Sequence, residues 1–360
     1  MIRTRTAVRL GALLLLALGT IGCAGHSARP GEPTAREQPV DGPAAVAAAT
    51  PESEKPFVAT ENEAPALPPP PPTPTLATTA TSLVLSSKPR IIAKVETVQL
   101  PAWVERGGVK AAMKAGWALY TGDRVVTGPE GRLVLSTVGE GRIQVAGGSL
   151  IAMTPAYEST GGPEPALLTL QRGAISMTAP MVRSGTSGLP VQIGSGITAD
   201  ILGGNVFAKA DADEDVLALV DGVVQVSGPK LNPGTMKKAD TFLRVPRIGR
   251  PTPVSEAGGG RLARWLSGTE LLRNKPQLDA SGTWDVSLNS GYNVKILETM
   301  ACQIQARGYP SEIYPVREPG KQVWYRVVVR RFKSKTDAID FLGTAKALGS
   351  REPWVLIPQT

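Results

Sequence analysis

The sequence predicts a multidomain chain: an all-β domain over residues 91–230, a smaller α+β unit of βαββαβ order over 283–360, and an unfolded Pro-rich stretch ahead of both. Three observations predict it. Between 91 and 230 apolar residues alternate with polar ones, and Gly interrupts the pattern about every eight to twelve residues. Between 283 and 360 two stretches of helical spacing are interleaved with four strand-like ones. The chain also holds 32 Pro and 39 Gly in 360 residues, and 14 of the Pro fall in residues 24–90, a composition that cannot bury enough apolar surface to offset ordering. With one His and two Cys, a disulfide scaffold, a zinc cluster and catalysis on an ordered imidazole are all excluded. A non-enzymatic protein without cofactor or metal is the expectation, and no catalytic residue is assigned.

From the start of the chain, Arg3, Arg5 and Arg9 precede an apolar run from Leu10 to Gly22. A basic segment followed by a short apolar one has the form of a secretory signal, here residues 1–22, too short to cross ~30 Å of hydrocarbon comfortably. The run ends in Thr20-Ile21-Gly22-Cys23, which resembles the bacterial lipobox, with Thr20 where Leu is usual. The resemblance implies lipidation at Cys23 and, with Ala24 rather than Asp following, a periplasm-facing outer-membrane lipoprotein. Inner-membrane anchoring and a soluble periplasmic protein are the alternatives. Residues 23–90 then form a linker with Pro68 to Pro72 unbroken. As a flexible coil such a segment reaches ~45 Å, and ~200 Å if extended as polyproline II.

In 91–230 the strand candidates include Arg132–Leu135, Arg142–Val145, Leu167–Leu170 and Val223–Val226, with turns at Gly128–Gly131, Gly139–Gly141, Gly147–Gly148 and Asp221–Gly222. The stretch from Gly122 to Leu133, with Leu170–Gly173 and Leu219–Val226, resembles the FecR domain. Some members of that family are membrane regulators that pass an iron-uptake signal to a sigma factor, and the resemblance implies an unknown protein partner for this region. Asp123 and Asp221 read as turn residues bonding local backbone rather than as an acid/base pair. The run Asp211–Asp215 lacks the Gly and distal Glu of an EF-hand loop and reads as a solvated acidic turn. Residues 231–282, with Pro233, Pro246, Pro251 and Pro253, are expected as a linker carrying a short amphipathic helix at 261–273. Charge shifts here: 231–282 carry +5 and 283–360 carry +4 out of a net +8, which favours an anionic partner.

Residues 283–360 carry the sharpest signal. Trp284–Leu288 alternates as a strand, Val294–Arg307 has helical spacing with Gly308 as its stop, and Glu312–Val316 and Val323–Arg331 are strands. Ser334 caps a second helix, with Ala338, Ile339, Leu342, Ala345 and Leu348 along one side, and Trp354–Ile357 closes the unit. Both helices then cover one face of a ferredoxin/RNP-like sheet and leave the other open. Alternation sends Tyr325, Val327 and Val329 to the core, and Trp324, Arg326, Val328 and Arg330 to the open face. Ser287 and Asn289 are expected there too, with Ser290 at the strand end. An indole beside guanidiniums suits a polysaccharide, because the ring lies flat on a sugar and arginine donates to hydroxyls or a carboxylate.

The segments Trp284–Ser290, Arg307-Gly308-Tyr309, Trp324–Val329 and Phe332-Lys333-Ser334 resemble the SPOR domain, a peptidoglycan-binding module. That resemblance implies binding to glycan strands stripped of stem peptides, at the septum, with Ser290, Trp324 and Arg326 at contact positions. Ser287 stands where Gln is usual, and Arg330-Arg331 where Gly-Pro is usual. The glycan-binding set expected from the sequence is Ser287, Ser290, Trp324, Arg326 and Arg330. The RNP1 pattern of aromatics is missing and the signal segment directs export, so nucleic acid is not expected as a partner. The reading is an envelope protein bridging membrane and peptidoglycan. A sensor acting through the FecR-like region and a targeted peptidoglycan-cleaving enzyme are the competing classes. The state of Cys302 stays open.

Overall fold

The computed structural model describes residues 90–154, 167–182 and 188–358. The expected signal segment, Cys23 and the Pro-rich linker lie outside these residues.

Eight short strands come first: β1 (Ile91–Gln99), β2 (Ala102–Arg106), β3 (Val109–Ala112), β4 (Ala118–Tyr120), β5 (Arg124–Thr127), β6 (Arg132–Thr137), β7 (Arg142–Val145) and β8 (Leu150–Thr154). Longer ones follow: β9 (Leu167–Ala179), β10 (Leu189–Ile193), β11 (Ile197–Ala210) and β12 (Glu214–Gly228). Next come β13 (Leu231–Met236), β14 (Thr241–Pro246), β15 (Thr252–Glu256), α1 (Gly259–Ser267) and β16 (Leu278–Asp279). The C-terminal unit is β17 (Trp284–Gly291), α2 (Val294–Ala306), β18 (Ser311–Val316), β19 (Trp324–Phe332), α3 (Lys335–Ala347) and β20 (Trp354–Leu356).

Two runs of paired strands build the β region. One goes β1–β6–β7–β9–β11–β12–β14–β15. The other goes β3–β2–β5–β8–β9–β10–β11–β12–β13. β9, β11 and β12 take part in both, so each must change direction partway. The change in β11 and β12 falls where Gly204 pairs with Gly222, both at positive φ. A Cβ on Gly204 would lie 2.2 Å from the Asp221 carbonyl oxygen and one on Gly222 2.1 Å from that of Gly203, so only glycine lets the two strands cross there. Asp221 and Gly222, expected as a turn, are therefore a bend inside a long strand. The alternation of β6, β7 and β8 points Leu133, Leu135, Ile143, Val145, Ile151 and Met153 into one buried core.

Residues 231–282 depart from the expected loop. They form four further strands, β13 to β16, and the prolines that suggested a loop sit where a sheet tolerates them: Pro233 and Pro253 on the edge strands β13 and β15, Pro246 at the end of β14. α1 spans Gly259–Ser267 rather than 261–273. It covers the second face of β11, β12 and β14, where Trp265 stacks on Phe207 with ring centroids 5.5 Å apart. It stops early because the chain beyond it turns back to Gln99. The buried Gln99 amide donates to the carbonyls of Leu272 and Lys275 at 2.7 and 3.1 Å and accepts from Leu272 N at 2.8 Å.

The C-terminal unit has the expected βαββαβ order, with strands arranged β18–β19–β17–β20, all antiparallel. Asn293 and Ser334 cap α2 and α3, each accepting a backbone N–H at the third following residue. Leu297, Ala301 and Ile304 of α2 and Ala338, Phe341 and Ala345 of α3 pack on Val286, Leu288, Val327, Val329 and Phe332. Ile339, expected on the core side, is 48% exposed, and Phe341 takes that place against Phe332.

This unit is joined to the β region by more than a chain connection. β16 pairs with β1 at Thr97↔Asp279 and with β19 at Leu278↔Phe332. Gly308, expected as a helix stop, does have positive φ, but a Cβ there would also stand 2.7 Å from the Trp103 ring. Ala102 N donates to Gly308 O, and Trp103 Nε1 to Ala306 O, each at 3.3 Å.

Candidate functional site

β19 runs down the middle of the C-terminal sheet, and its alternation decides which side chains reach the uncovered face. Tyr325, Val327 and Val329 join the core under the helices. Trp324, Arg326, Val328 and Arg330 project the other way, as the sequence predicts. Neighbouring strands are matched to them by register. Tyr314 of β18 stands opposite Arg326, Ser290 of β17 also pairs with Arg326, and Ser287 pairs with Val328. Trp354 of β20 lies across from Ser287, and Leu356 across from Asp285. Cross-strand partners share a face, so these residues line one surface.

Its centre is Arg326. The guanidinium carbon lies 4.8 Å from the Trp324 ring centroid and 5.5 Å from that of Trp354, so two indoles hold one cation. Burial against them pushes the Arg326 pKa down, and no carboxylate contributes to the shift. Among the described residues the buried Arg326 Nε hydrogen meets no acceptor. Trp354 and Tyr314 are 37% and 54% exposed. Arg330 is differently engaged: its Nε donates to Asp285 Oδ2 at 2.9 Å, and that bond raises its pKa above the ordinary value despite desolvation. A groove of ≈ 730 Å³ runs along this face, with Asp285, Tyr314, Arg326, Val328, Arg330 and Leu356 among its walls.

Among the five residues expected to contact glycan, Trp324, Arg326 and Ser290 meet at the centre of the face and Arg330 lies along the same strand. Ser287 is on this side but wholly buried, beneath the row formed by Val328 and Trp354, and its hydroxyl has no partner. It is a floor residue, not a contact. Asn289 does not reach the face at all. A bulge between Ser287 and Asn289 turns it toward the helices, where its amide nitrogen lies 3.4 Å from Met300 Sδ. Trp354 and Tyr314 are the additions. Their faces follow from pairing with Ser287 and Arg326, a long-range fact that a three-residue strand such as β20 cannot announce by periodicity.

The other candidates resolve into structure. Asp123 is buried and held by a two-bond pair with Arg106, both bonds 2.7 Å, plus Tyr120 N at 2.8 Å. Asp221 accepts from Asn205 N at 3.0 Å and Asn205 Nδ2 at 2.7 Å. In the acidic run, Asp211 accepts the backbone N–H of Asp213 and Glu214, while Asp215 is buried and paired with Arg247 at 2.7 and 2.8 Å. Among the described residues no three His, Cys, Asp or Glu side chains are grouped to hold a metal, and no helix is long and apolar enough to cross a membrane.

A two-layer α/β sheet with one helix-free aromatic and cationic face defines a binding module. Residues 280–357 match the SPOR domain family, and this part of the chain is a SPOR domain. The domain supports peptidoglycan binding in the cell envelope. No curated protein matches the chain. Two crystal structures of a candidate anti-sigma factor from Parabacteroides distasonis, at 1.65 and 2.50 Å resolution, are similar at 12% identity and a TM-score of 0.34. They cover 63% and 66% of this chain and 92% and 98% of their own; at that score the likeness carries no argument.

Proposed function

We propose that this chain is a non-enzymatic envelope protein that binds peptidoglycan glycan strands lacking stem peptides, through the open face of its SPOR domain. The observation that carries the reading is Arg326 held between Trp324 and Trp354 with no carboxylate contributing to its environment. Flat rings offer apolar area to the C–H faces of sugars. The guanidinium offers directed donors to hydroxyls and to lactyl carboxylates, which become free anions once stem peptides are removed.

Full-length protein is expected to pellet with sacculi, and more with amidase-treated sacculi. Trp324→Ala weakens both, and equal retention of the variant would remove the face from the account.

The same proposal includes a lipid anchor at Cys23 in the outer membrane. Two attachments on one chain raise the effective concentration of the second only if the linker spans the gap. Cys23→Ala is expected to shift the protein to the soluble periplasmic fraction. Mass mapping without reduction is expected to find Cys23 acylated; Cys23 recovered in a disulfide with Cys302 contradicts the anchor.

A further inference from the structure

The groove on the SPOR sheet does not end at the last residue of that domain. A second cleft, of ≈ 280 Å³, continues from it, and Arg330 and Arg331 belong to the walls of both. Its opposite wall is supplied by the β region, from the turn after β3: Lys114, Ala115, Gly116 and Trp117. The two regions are tied together at this point. Lys114 Nζ is 2.7 Å from Glu312 Oε1 of β18, and a Cβ on Gly116 would lie 3.2 Å from Arg331 Nη1.

The chemistry of the main face is repeated here. Lys114 Nζ sits 5.0 Å from the Trp117 ring centroid, a second indole with a cation over it. Lys114 is offset by Glu312 and Arg330 by Asp285, whereas Arg331 donates its Nη1 to the Ala280 carbonyl at 2.7 Å and forms no ion pair among the described residues. Arg331 also stands at φ 71°, a left-handed conformation that penalises a side chain of this size and that glycine adopts freely. A bulky residue kept there against its backbone preference points to use of its side chain.

Resting on the reading of the open face as a glycan site, we propose that the glycan groove is composite: the β region adds a further saccharide subsite, built from Trp117, Lys114 and Arg331, for sugars beyond those on the SPOR sheet. A cleft at or below the low end of the ~300–1,000 Å³ typical of small-ligand sites suits one sugar unit rather than a chain. The subsite takes the next unit of the same stem-free strand, with the Arg331 charge facing its lactyl carboxylate. The β region is thereby a specificity element for strand length.

The test measures affinity of the full chain for stem-free glycan as a tetrasaccharide and as long strands. Arg331→Gly removes the guanidinium and relieves the backbone, so it should melt no lower than the parent. It is expected to lose about fivefold affinity for long strands and less for the tetrasaccharide, since Arg331 also borders the main groove. Trp117→Ala, which borders the second cleft and not the main groove, is expected to lose about fivefold for long strands with the tetrasaccharide unchanged; should it melt early, the ratio of long-strand to tetrasaccharide loss in Arg331→Gly decides. Parental affinity for long strands in both variants, with Trp324→Ala still weakened, overturns the composite groove and leaves the open face standing. Parental affinity in Trp324→Ala overturns the face itself and this extension with it.

Discussion

The β region and the SPOR sheet both carry arginines beside aromatic rings and acids, but they use them differently. Arg106 lies over the Tyr120 ring at 4.6 Å, and its charge is already committed to buried Asp123. Arg247 is likewise committed to buried Asp215. Arg326 has rings on two sides and, among the described residues, no acid paired with it. Burying a charge away from an acid is unfavourable, and a half-buried cation between rings on an open face can recover that cost from hydroxyls or an anion outside the chain. Pairing with a buried acid marks Arg106 and Arg247 as structural, and its absence together with the open face marks Arg326 as a binding residue.

The largest effect should come from breaking a committed pair. Asp215→Ala leaves Arg247 without its acid and removes the acceptor of Gly196 N and of two guanidinium hydrogen bonds, and a loss of about 3 kcal/mol in a urea titration is expected. Folded variant should still bind sacculi as the parent does. If it does not, the Asp215–Arg247 pair bears on the glycan site as well as on the fold.

Next is the joint between the regions. Gly308→Ala places a Cβ against the Trp103 ring at a positive φ, and a destabilisation of about 2 kcal/mol is expected. An unchanged melting temperature would mean that the docking seen at Ala102 and Trp103 contributes nothing. Arg326→Ala, by contrast, should leave stability near the parent and lower affinity for stem-free glycan about tenfold, ~1.4 kcal/mol. A marked loss of stability instead would make Arg326 structural.

The smallest effect is a pH dependence at the joint. Burial pushes the Asp279 carboxyl up, but hydrogen bonds from Ser281 and Thr97 outweigh it and hold the group below its ordinary 3.8. A depressed folded pKa contributes stability that is present above the unfolded value and lost as pH falls through the folded one. The stability difference between the parent and Asp279→Asn should therefore shrink on acidification below about pH 4. A difference that stays constant or grows there contradicts it.

Much of this was legible in the sequence, for identifiable reasons. Alternation alone put Trp324 and Arg326 on one face and Val327 and Val329 on the other, because β19 is long and central. Helix spacing and the Ser334 cap gave α2 and α3 nearly to the residue. Prolines misled in 231–282, since composition does not distinguish a loop from edge strands that tolerate Pro at positions such as Pro233 and Pro253. Asn289 was placed by strict period two, which the bulge after Ser287 breaks, while Ser287 keeps its side and is buried under its neighbours. Trp354 and Tyr314 needed the register between strands distant in sequence, and the docking of Gly308 on Trp103 had no local signal at all.

The most direct measurement is a titration of stem-free glycan strands into the full-length protein, followed by backbone amide shifts. Changes should concentrate in Trp324–Arg330, Tyr314 and Trp354–Leu356, leaving α2 and α3 and the Gly128–Arg132 turn of the β region unmoved. Changes centred on the helices, or saturable binding with no shift along β19, would contradict the assignment of the open face as the glycan site.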